Sequence, residues 1–153
     1  MDYVLNTGKI ITLSTILLDL NGTLSVNGKI VKGSKERIKK LKKMGFQLVM
    51  LSGDSRGNAK KIAKELGIEC IITKSSKEKK KAIKQFNRKE CIAIGNARID
   101  IGMLKHAKIS MLTLQIEGIH TGAIKYADII VPSILDAFDI FIKPHNFRST
   151  MKI

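Results

Sequence analysis

The chain is expected to be an α/β protein with a mostly parallel sheet covered by helices on both faces, and three observations carry that expectation. Short apolar runs alternate with amphipathic stretches along its 153 residues, the order that builds strand–helix–strand units. Polar residues follow the ends of three of those runs, at Asp19, Ser52 and Asn96. Parallel sheets bind ligands beyond the carboxyl ends of their strands, so these side chains should gather on one edge. The length suits one compact unit, and residues 1-153 are read as a single domain.

The elements follow in order. Ile16 to Leu18 is a buried strand ended by Asp19, and Asn21-Gly22-Thr23 turns the chain sharply. Asp19 is then a candidate nucleophile, although an Asp-x-Asn-Gly turn closing a hairpin strand would use the same residues. Asn21 to Val31 is a short hairpin turning at Asn27-Gly28. Ser34 caps a helix with Ile38, Leu41 and Met44 inward and Gly45 as its stop. Phe46 to Leu51 is the second strand, running into Ser52-Gly53-Asp54. A helix from about Arg56 to Leu66 turns Ile62, Ala63 and Leu66 inward and stops at Gly67.

Cys70 to Ile72 is a short third strand, and Ser75 or Ser76 caps a helix with Ala82, Ile83 and Phe86 on its apolar side. Cys91 to Ile94 is the fourth strand, followed by Gly95-Asn96. A short helix covers Ile101 to Ala107, with Ile109 to Ile116 and Ala127 to Val131 as the last strands. Ser133, three residues before Asp136, opens a final helix through Ile142. Residues 1-9 and 144-153 are expected to fray.

Composition narrows the function classes. No apolar stretch approaches the ~20 residues of a membrane span, the opening residues lack a signal-peptide layout, and Cys70 and Cys91 make no metal or disulfide pattern. A reducing cytoplasm and no membrane partner are expected. The net charge of +15 favours anionic partners. Its lysines alternate with apolar positions at helical spacing, as solvated helix faces do, and without tryptophan or interleaved aromatics they argue against nucleic acid. A phosphorylated small molecule fits better.

Convergence of Asp19, Ser52 and Asn96 suggests phosphoryl transfer. Asp19 would attack phosphorus while the Ser52 hydroxyl, the Gly53 amide and a following lysine hold the equatorial oxygens. Oxygen ligands from Asp19, Asn96 and Asp100 would suit Mg²⁺.

On these residues the chain resembles the haloacid dehalogenase superfamily, and within it the phosphorylation domain of P-type ATPases and their soluble relatives, over roughly residues 14 to 142. Asp19-Leu20-Asn21-Gly22-Thr23-Leu24 is similar to the ATPase Asp-Lys-Thr-Gly-Thr-Leu. Met50-Leu51-Ser52-Gly53-Asp54 is similar to Met-Leu-Thr-Gly-Asp, and Ala127-Asp128-Ile129-Ile130 to an Ala-Asp-Ile-Val strand. The family's helix lysine falls best on Lys79, with Lys77 and Lys80 as alternatives. Gly95-Asn96-Ala97-Arg98-Ile99-Asp100 resembles Gly-Asp-Gly-x-Asn-Asp, with Asn96 where the metal-binding Asp is expected.

The resemblance implies a Rossmann-like fold without a cap domain and a phosphatase working through an aspartyl-phosphate. Asp19, Asn21, Ser52 and Lys79 would be catalytic, and Gly22, Thr23, Ser52, Gly53 and Lys79 would bind phosphate. Mg²⁺ would rest on Asp19, the Asn21 carbonyl, Asn96 and Asp100. Superfamily phosphatases carry a second Asp two residues after the nucleophile as general acid and base; Asn21 can do neither, so good leaving groups should be favoured. An uncapped site calls for a large substrate or a lid from a neighbouring subunit in a homo-oligomer. The ATPase nucleotide-binding and membrane segments have no counterpart here, so ion transport by this chain alone is not expected. The two asparagines also point to an alternative, a catalytically weak or inactive member that binds a phosphorylated ligand or a partner protein.

Overall fold

The computed structural model describes residues 1–152. Its centre is a six-stranded, wholly parallel sheet with β3 (Thr15–Leu18) in the middle. β6 (Gln47–Ser52) and then β7 (Glu69–Ile72) lie on one side. β8 (Cys91–Gly95), β9 (Ile109–Thr113) and β10 (Ile129–Val131) lie on the other. Two small antiparallel pairs stand outside it: β1 (Asp2–Val4) with β2 (Ile10–Thr12), and β4 (Ser25–Val26) with β5 (Lys29–Ile30).

Side chains alternate across each strand, and the alternation splits the core into two layers. Ile16, Leu18, Leu48, Met50, Ile92 and Ile94 face one cluster. That cluster includes α1 (Ser34–Lys43), α2 (Ala59–Leu66), α6 (Ile134–Ile142) and α7 (Pro144–Thr150). Leu17, Val49, Leu51 and Ala93 face the second, with α3 (Ser76–Ile83), α4 (Ile101–Leu104) and α5 (Thr121–Ile124). Burial on both faces is why these strands read as nearly unbroken apolar runs. The lysines at 35, 39, 42, 43, 77, 80, 81 and 84 stay on exposed helix surfaces. No inserted cap interrupts the core: after β3 the chain adds only the β4–β5 hairpin before α1.

Four local expectations change. Gly33, with φ 95°, occupies the cap of α1, and Ser34 is its first residue, its hydroxyl buried without a hydrogen-bond partner. α2 starts at Ala59 rather than near Arg56, because the Asp54 carboxylate accepts the Ala59 amide at 2.8 Å and residues 54–58 form the turn that brings it there. β9 stops at Thr113; Leu114 and Ile116 project into solvent, 62% and 83% exposed.

Nor do the termini fray through residue 152. β1 and β2 pair, Tyr3 and Phe147 are buried, and the Tyr3 hydroxyl donates to the Phe141 carbonyl at 3.0 Å. The rings of Tyr3 and Phe147 meet edge to face at 4.7 Å, a contact between chain ends that no local pattern encodes. Ile153 lies outside the described residues.

Candidate active site

The carboxyl edge of the sheet brings the ends of β3, β6 and β8 together. Asp19 follows β3, and its amide donates to the Ile94 carbonyl at 2.9 Å, so pairing with β8 continues to the residue that carries the carboxylate. Its side chain is only 10% exposed. Opposite it, Lys79 is completely buried and donates at 2.6 Å to both Asp19 Oδ1 and Asp100 Oδ1. The second Asp100 oxygen accepts the amides of Asn96 and Ala97, each at 2.9 Å. One ammonium therefore lies between two carboxylates. Gly95 permits the packing, because a Cβ there would lie 2.5 Å from Asp100 Oδ2.

Helix phase selects this lysine. Ser75 caps α3 by accepting the Glu78 amide at 3.1 Å, and Lys79 then shares a face with Ala82 and Ile83, all three buried. Lys77 and Lys80 fall on the exposed side. α3 can sit close enough because residue 102 of α4 is glycine; a Cβ there would lie 1.8 Å from the Ser76 carbonyl oxygen.

Electrostatics follow from burial. Burial and the neighbouring Asp100 push the Asp19 carboxyl up to about 7, against the pull of Lys79. Burial lowers the Lys79 pKa, but Asp100 and Asp19 outweigh it and leave a net upward shift, so the cation persists.

Around Asp19 opens a cleft of about 450 Å³ lined by Asp19, Asn21, Gly53, Ser55, Lys74, Lys79, Ala97 and Ile99. A hollow of similar size, about 430 Å³, lies between Phe86, Arg88, His106 and Lys108, and no carboxylate lines it. Chemistry rather than volume distinguishes the first.

Of the residues expected at the site, Asp19, Asn21, Gly53 and Lys79 line the cleft. Ser52 lies just behind, its hydroxyl accepting the Asp54 amide at 3.1 Å. Gly22 and Thr23 are not among the residues that line the cleft. The Gly22 amide donates to the Ser25 carbonyl at 2.7 Å, and the Thr23 hydroxyl donates to Asn96 Oδ1 at 3.3 Å. Gly22, at φ 78°, passes so close to Asn96 that a Cβ would lie 2.3 Å from Nδ2.

Of the expected cation ligands, Asp19, Asp100 and Asn96 already have partners within the protein. Asp100 places one oxygen on Lys79 and the other on the amides of Asn96 and Ala97. Asn96 Nδ2 donates to the Gly118 carbonyl at 2.9 Å, and Oδ1 takes the Thr23 hydroxyl. The other expected donors are the Asp19 carboxylate, the Asn21 carbonyl and the Asn96 amide oxygen. These are hard oxygen donors and fit Mg²⁺ in kind, with one formal charge to hold it. Among the described residues no group of three His, Cys, Asp or Glu is placed to hold a metal.

Three residues at the site were not singled out from the sequence. Gln115 Nε2 donates to the carbonyls of Gly22 at 3.1 Å and Thr23 at 2.6 Å, while its Oε1 accepts the Ile134 amide at 3.2 Å. It ties the turn after Asp19 to the start of α6. Ser55 and Lys74 join the cleft through the turns after β6 and β7, and their only sequence signal was position just beyond a strand end.

Known proteins share both sequence and fold with this chain. The family model for haloacid dehalogenase-like hydrolase matches residues 7–108. A soluble P-type ATPase-like phosphatase of Methanocaldococcus jannaschii is 27% identical over 144 residues, covering 91% of this chain and 53% of that protein. A copper-exporting P-type ATPase of Staphylococcus epidermidis is 32% identical over 146 residues, covering 86% of this chain and 17% of that protein. The chain thus spans about half the length of the first and about a sixth of the second.

Among solved structures, the fold is similar to 3-deoxy-D-manno-octulosonate 8-phosphate phosphatase of Moraxella catarrhalis, with magnesium, phosphate and the sugar bound. The TM-score is 0.71 at 19% identity, with 90% of each chain covered. The cobalt-bound enzyme of Haemophilus influenzae gives 0.73 at 16% identity, covering 93% of this chain and 94% of that one. The identities are low enough that these two speak for fold alone, whereas the family model covers about two thirds of the chain. The chain belongs to the haloacid dehalogenase-like hydrolase family.

Proposed function

We propose that residues 1-153 form a single catalytic domain, a phosphatase-type hydrolase that transfers a phosphoryl group to Asp19 and then to water. The observation that carries the reading is the buried Lys79, 2.6 Å from Asp19 in an open cleft. A cation fixed there orients the carboxylate and offsets the charge of an incoming phosphate without reorganising. Gly53 lies in the lining to meet the phosphoryl oxygens, and Ser52 supports that turn from behind. Mg²⁺, held by Asp19, the Asn21 carbonyl and Asn96, would neutralise charge on the transferring group. Asn21 donates its amide to Ser55 at 3.4 Å and holds no transferable proton, so departure must proceed without general acid help. Substrates with good leaving groups are therefore favoured, namely anhydrides, acyl phosphates and aryl phosphates.

The relatives' names, a soluble phosphatase and an ATPase, agree with a small phosphorylated substrate. The open cleft leaves room for a lid from a second copy. No helix of the described residues is long and apolar enough to cross a membrane, and a cytoplasmic setting is part of the proposal.

The test is a mass-resolved acid quench after incubation with acetyl phosphate and Mg²⁺. The parent chain should gain one phosphoryl group, and Asp19→Asn should gain none while keeping its fold by circular dichroism. Equal labelling of both would remove Asp19 as nucleophile. Absence of label and turnover in the parent, with phosphate still bound, would favour the non-catalytic alternative, to which the inward commitment of Asn96 lends support.

A further inference from the structure

We propose that Arg56 is a specificity-determining residue of this cleft, selecting phosphorylated substrates whose departing portion carries negative charge of its own, a phosphoanhydride above all. The proposal rests on the phosphatase reading and narrows it to a substrate class.

Arg56 is presented by a braced turn. Asp54, at φ 55°, accepts the Gly57 amide through its carbonyl at 2.9 Å and the Ala59 amide through its carboxylate at 2.8 Å. Between these anchors the Arg56 side chain reaches back to Asn21, which lines the cleft. Its Nε donates to Asn21 Oδ1 at 3.4 Å, and its Nη1 passes the hairpin turn so closely that a Cβ on Gly28 would lie 3.2 Å away. The guanidinium thus stands beside the side chain that occupies the position of the missing general acid.

Its charge is free for a ligand. The ion pairs among the described residues join Arg37 and Lys143 to Asp139, and Lys79 to Asp19 and Asp100; none engages Arg56 or the cleft-lining Lys74. Lys74 is steadied by its own amide, which donates to Glu78 Oε2 at 2.8 Å. The rim therefore carries two unpaired cations, and Asp19 is the one carboxylate lining the cleft.

In the transfer step an Asp19 oxygen bonds to phosphorus and the bridging phosphorus–oxygen bond breaks. The electron pair stays on the departing oxygen, and no proton moves. A departing phosphate brings further anionic oxygens, which a planar guanidinium at Asn21 can engage through two N–H groups. The cation stabilises charge on the departing group by proximity, the task that protonation performs elsewhere.

The experiment compares methylenediphosphonate with methylphosphonate by titration calorimetry, with Mg²⁺ present, on the parent chain, Arg56→Ala, Arg56→Lys and the surface control Lys60→Ala. Arg56→Ala should weaken the diphosphonate by about ten-fold, an exposed charge being partly screened, and leave methylphosphonate within about two-fold. Arg56→Lys should recover part of the loss, and Lys60→Ala should change neither ligand. The turnover arm should show the same split, with kcat/KM falling for pyrophosphate and holding for p-nitrophenyl phosphate. Equal weakening of both phosphonates, no change in either, or a parent chain that does not prefer the diphosphonate overturns the proposal. A parent that prefers the diphosphonate but turns over no phosphate compound fails the phosphatase reading while the binding arm still upholds Arg56 as the selector.

Discussion

The inner and outer halves of the cleft are built on different rules. Inside, Asp19, Lys79 and Asp100 form a buried chain of alternating charge with contacts of 2.6 Å. In the outer half, Asn21 and Asn96 carry amides: Asn21 donates to Ser55 at 3.4 Å, while the nearly buried Asn96 accepts from Thr23 at 3.3 Å and donates to the Gly118 carbonyl at 2.9 Å. Buried charges depend on one another, because removing one leaves another unpaired in a medium that cannot solvate it. An amide carries no formal charge, so a change in the outer half costs hydrogen bonds and leaves the charged chain of the inner half paired. On the proposed function, the inner half links stability to chemistry, and the outer half sets rate and preference.

The largest effect should come from breaking the inner half at its cation. Lys79→Met leaves two carboxylates facing each other without a counter-ion, a change that costs about 3–5 kcal/mol when a buried pair is broken. Activity should disappear with it. Adding Asp100→Asn to Lys79→Met should recover much of the stability and none of the activity, which separates the two roles by urea titration and turnover. Lys77→Ala and Lys80→Ala lie on the exposed side of α3 and should leave both nearly unchanged. Equal losses from all three lysines would mean that a general basic surface, rather than this triad, supports the site.

The same contrast explains what was legible in the sequence. Asp19, Ser52 and Asn96 were readable because they follow strand ends, whereas Lys79 was reached through the family resemblance, with Lys77 and Lys80 as alternatives while the cap stayed open between Ser75 and Ser76. The committed state of Asp100 was not readable, since its oxygens are taken by Lys79 and by amides that only the folded loop brings near. Gln115 was invisible for a similar reason: it bridges Gly22 and Ile134, from a stretch that reads as a strand continuing past Thr113. The docking of the termini depends on Tyr3 meeting Phe141 and Phe147, contacts more than a hundred residues apart. Periodicity reports which side of an element is buried, and it carries no record of which distant partner covers it.

A smaller, rate-limited effect should come from sharpening the outer half at Asn21. Asn21→Asp supplies a group able to protonate a leaving alkoxide and then activate water, a contribution worth ~10²-fold or more in favourable cases. Alkyl phosphates should gain most and anhydrides least. The gain will be held back because Arg56 lies 3.4 Å from Asn21 Oδ1 and would pair with the new carboxylate, lowering its pKa and its usefulness as an acid. Asn21→Asp combined with Arg56→Ala should therefore hydrolyse alkyl esters faster than Asn21→Asp alone. If the double variant is no faster, the new carboxylate does not reach the leaving group.

The smallest effect belongs to Asn96→Asp, because two consequences oppose each other. A carboxylate at this position adds a formal charge to the oxygen donors available to Mg²⁺, so half-saturation should occur at lower Mg²⁺ concentration with little change in leaving-group preference. It also removes the amide that donates to the Gly118 carbonyl at 2.9 Å and sets a negative oxygen against that carbonyl instead. Loss of a hydrogen bond at a nearly buried site costs about 1–3 kcal/mol, and the loop after β9 should loosen against the turn that follows Asp19. The prediction is a lower melting temperature without Mg²⁺ and recovery as Mg²⁺ is added, followed by a thermal-shift titration of both chains. A variant that is destabilised equally at all Mg²⁺ concentrations would show that position 96 serves only to join the two loops, and the cation would then have to rest on Asp19 and the Asn21 carbonyl.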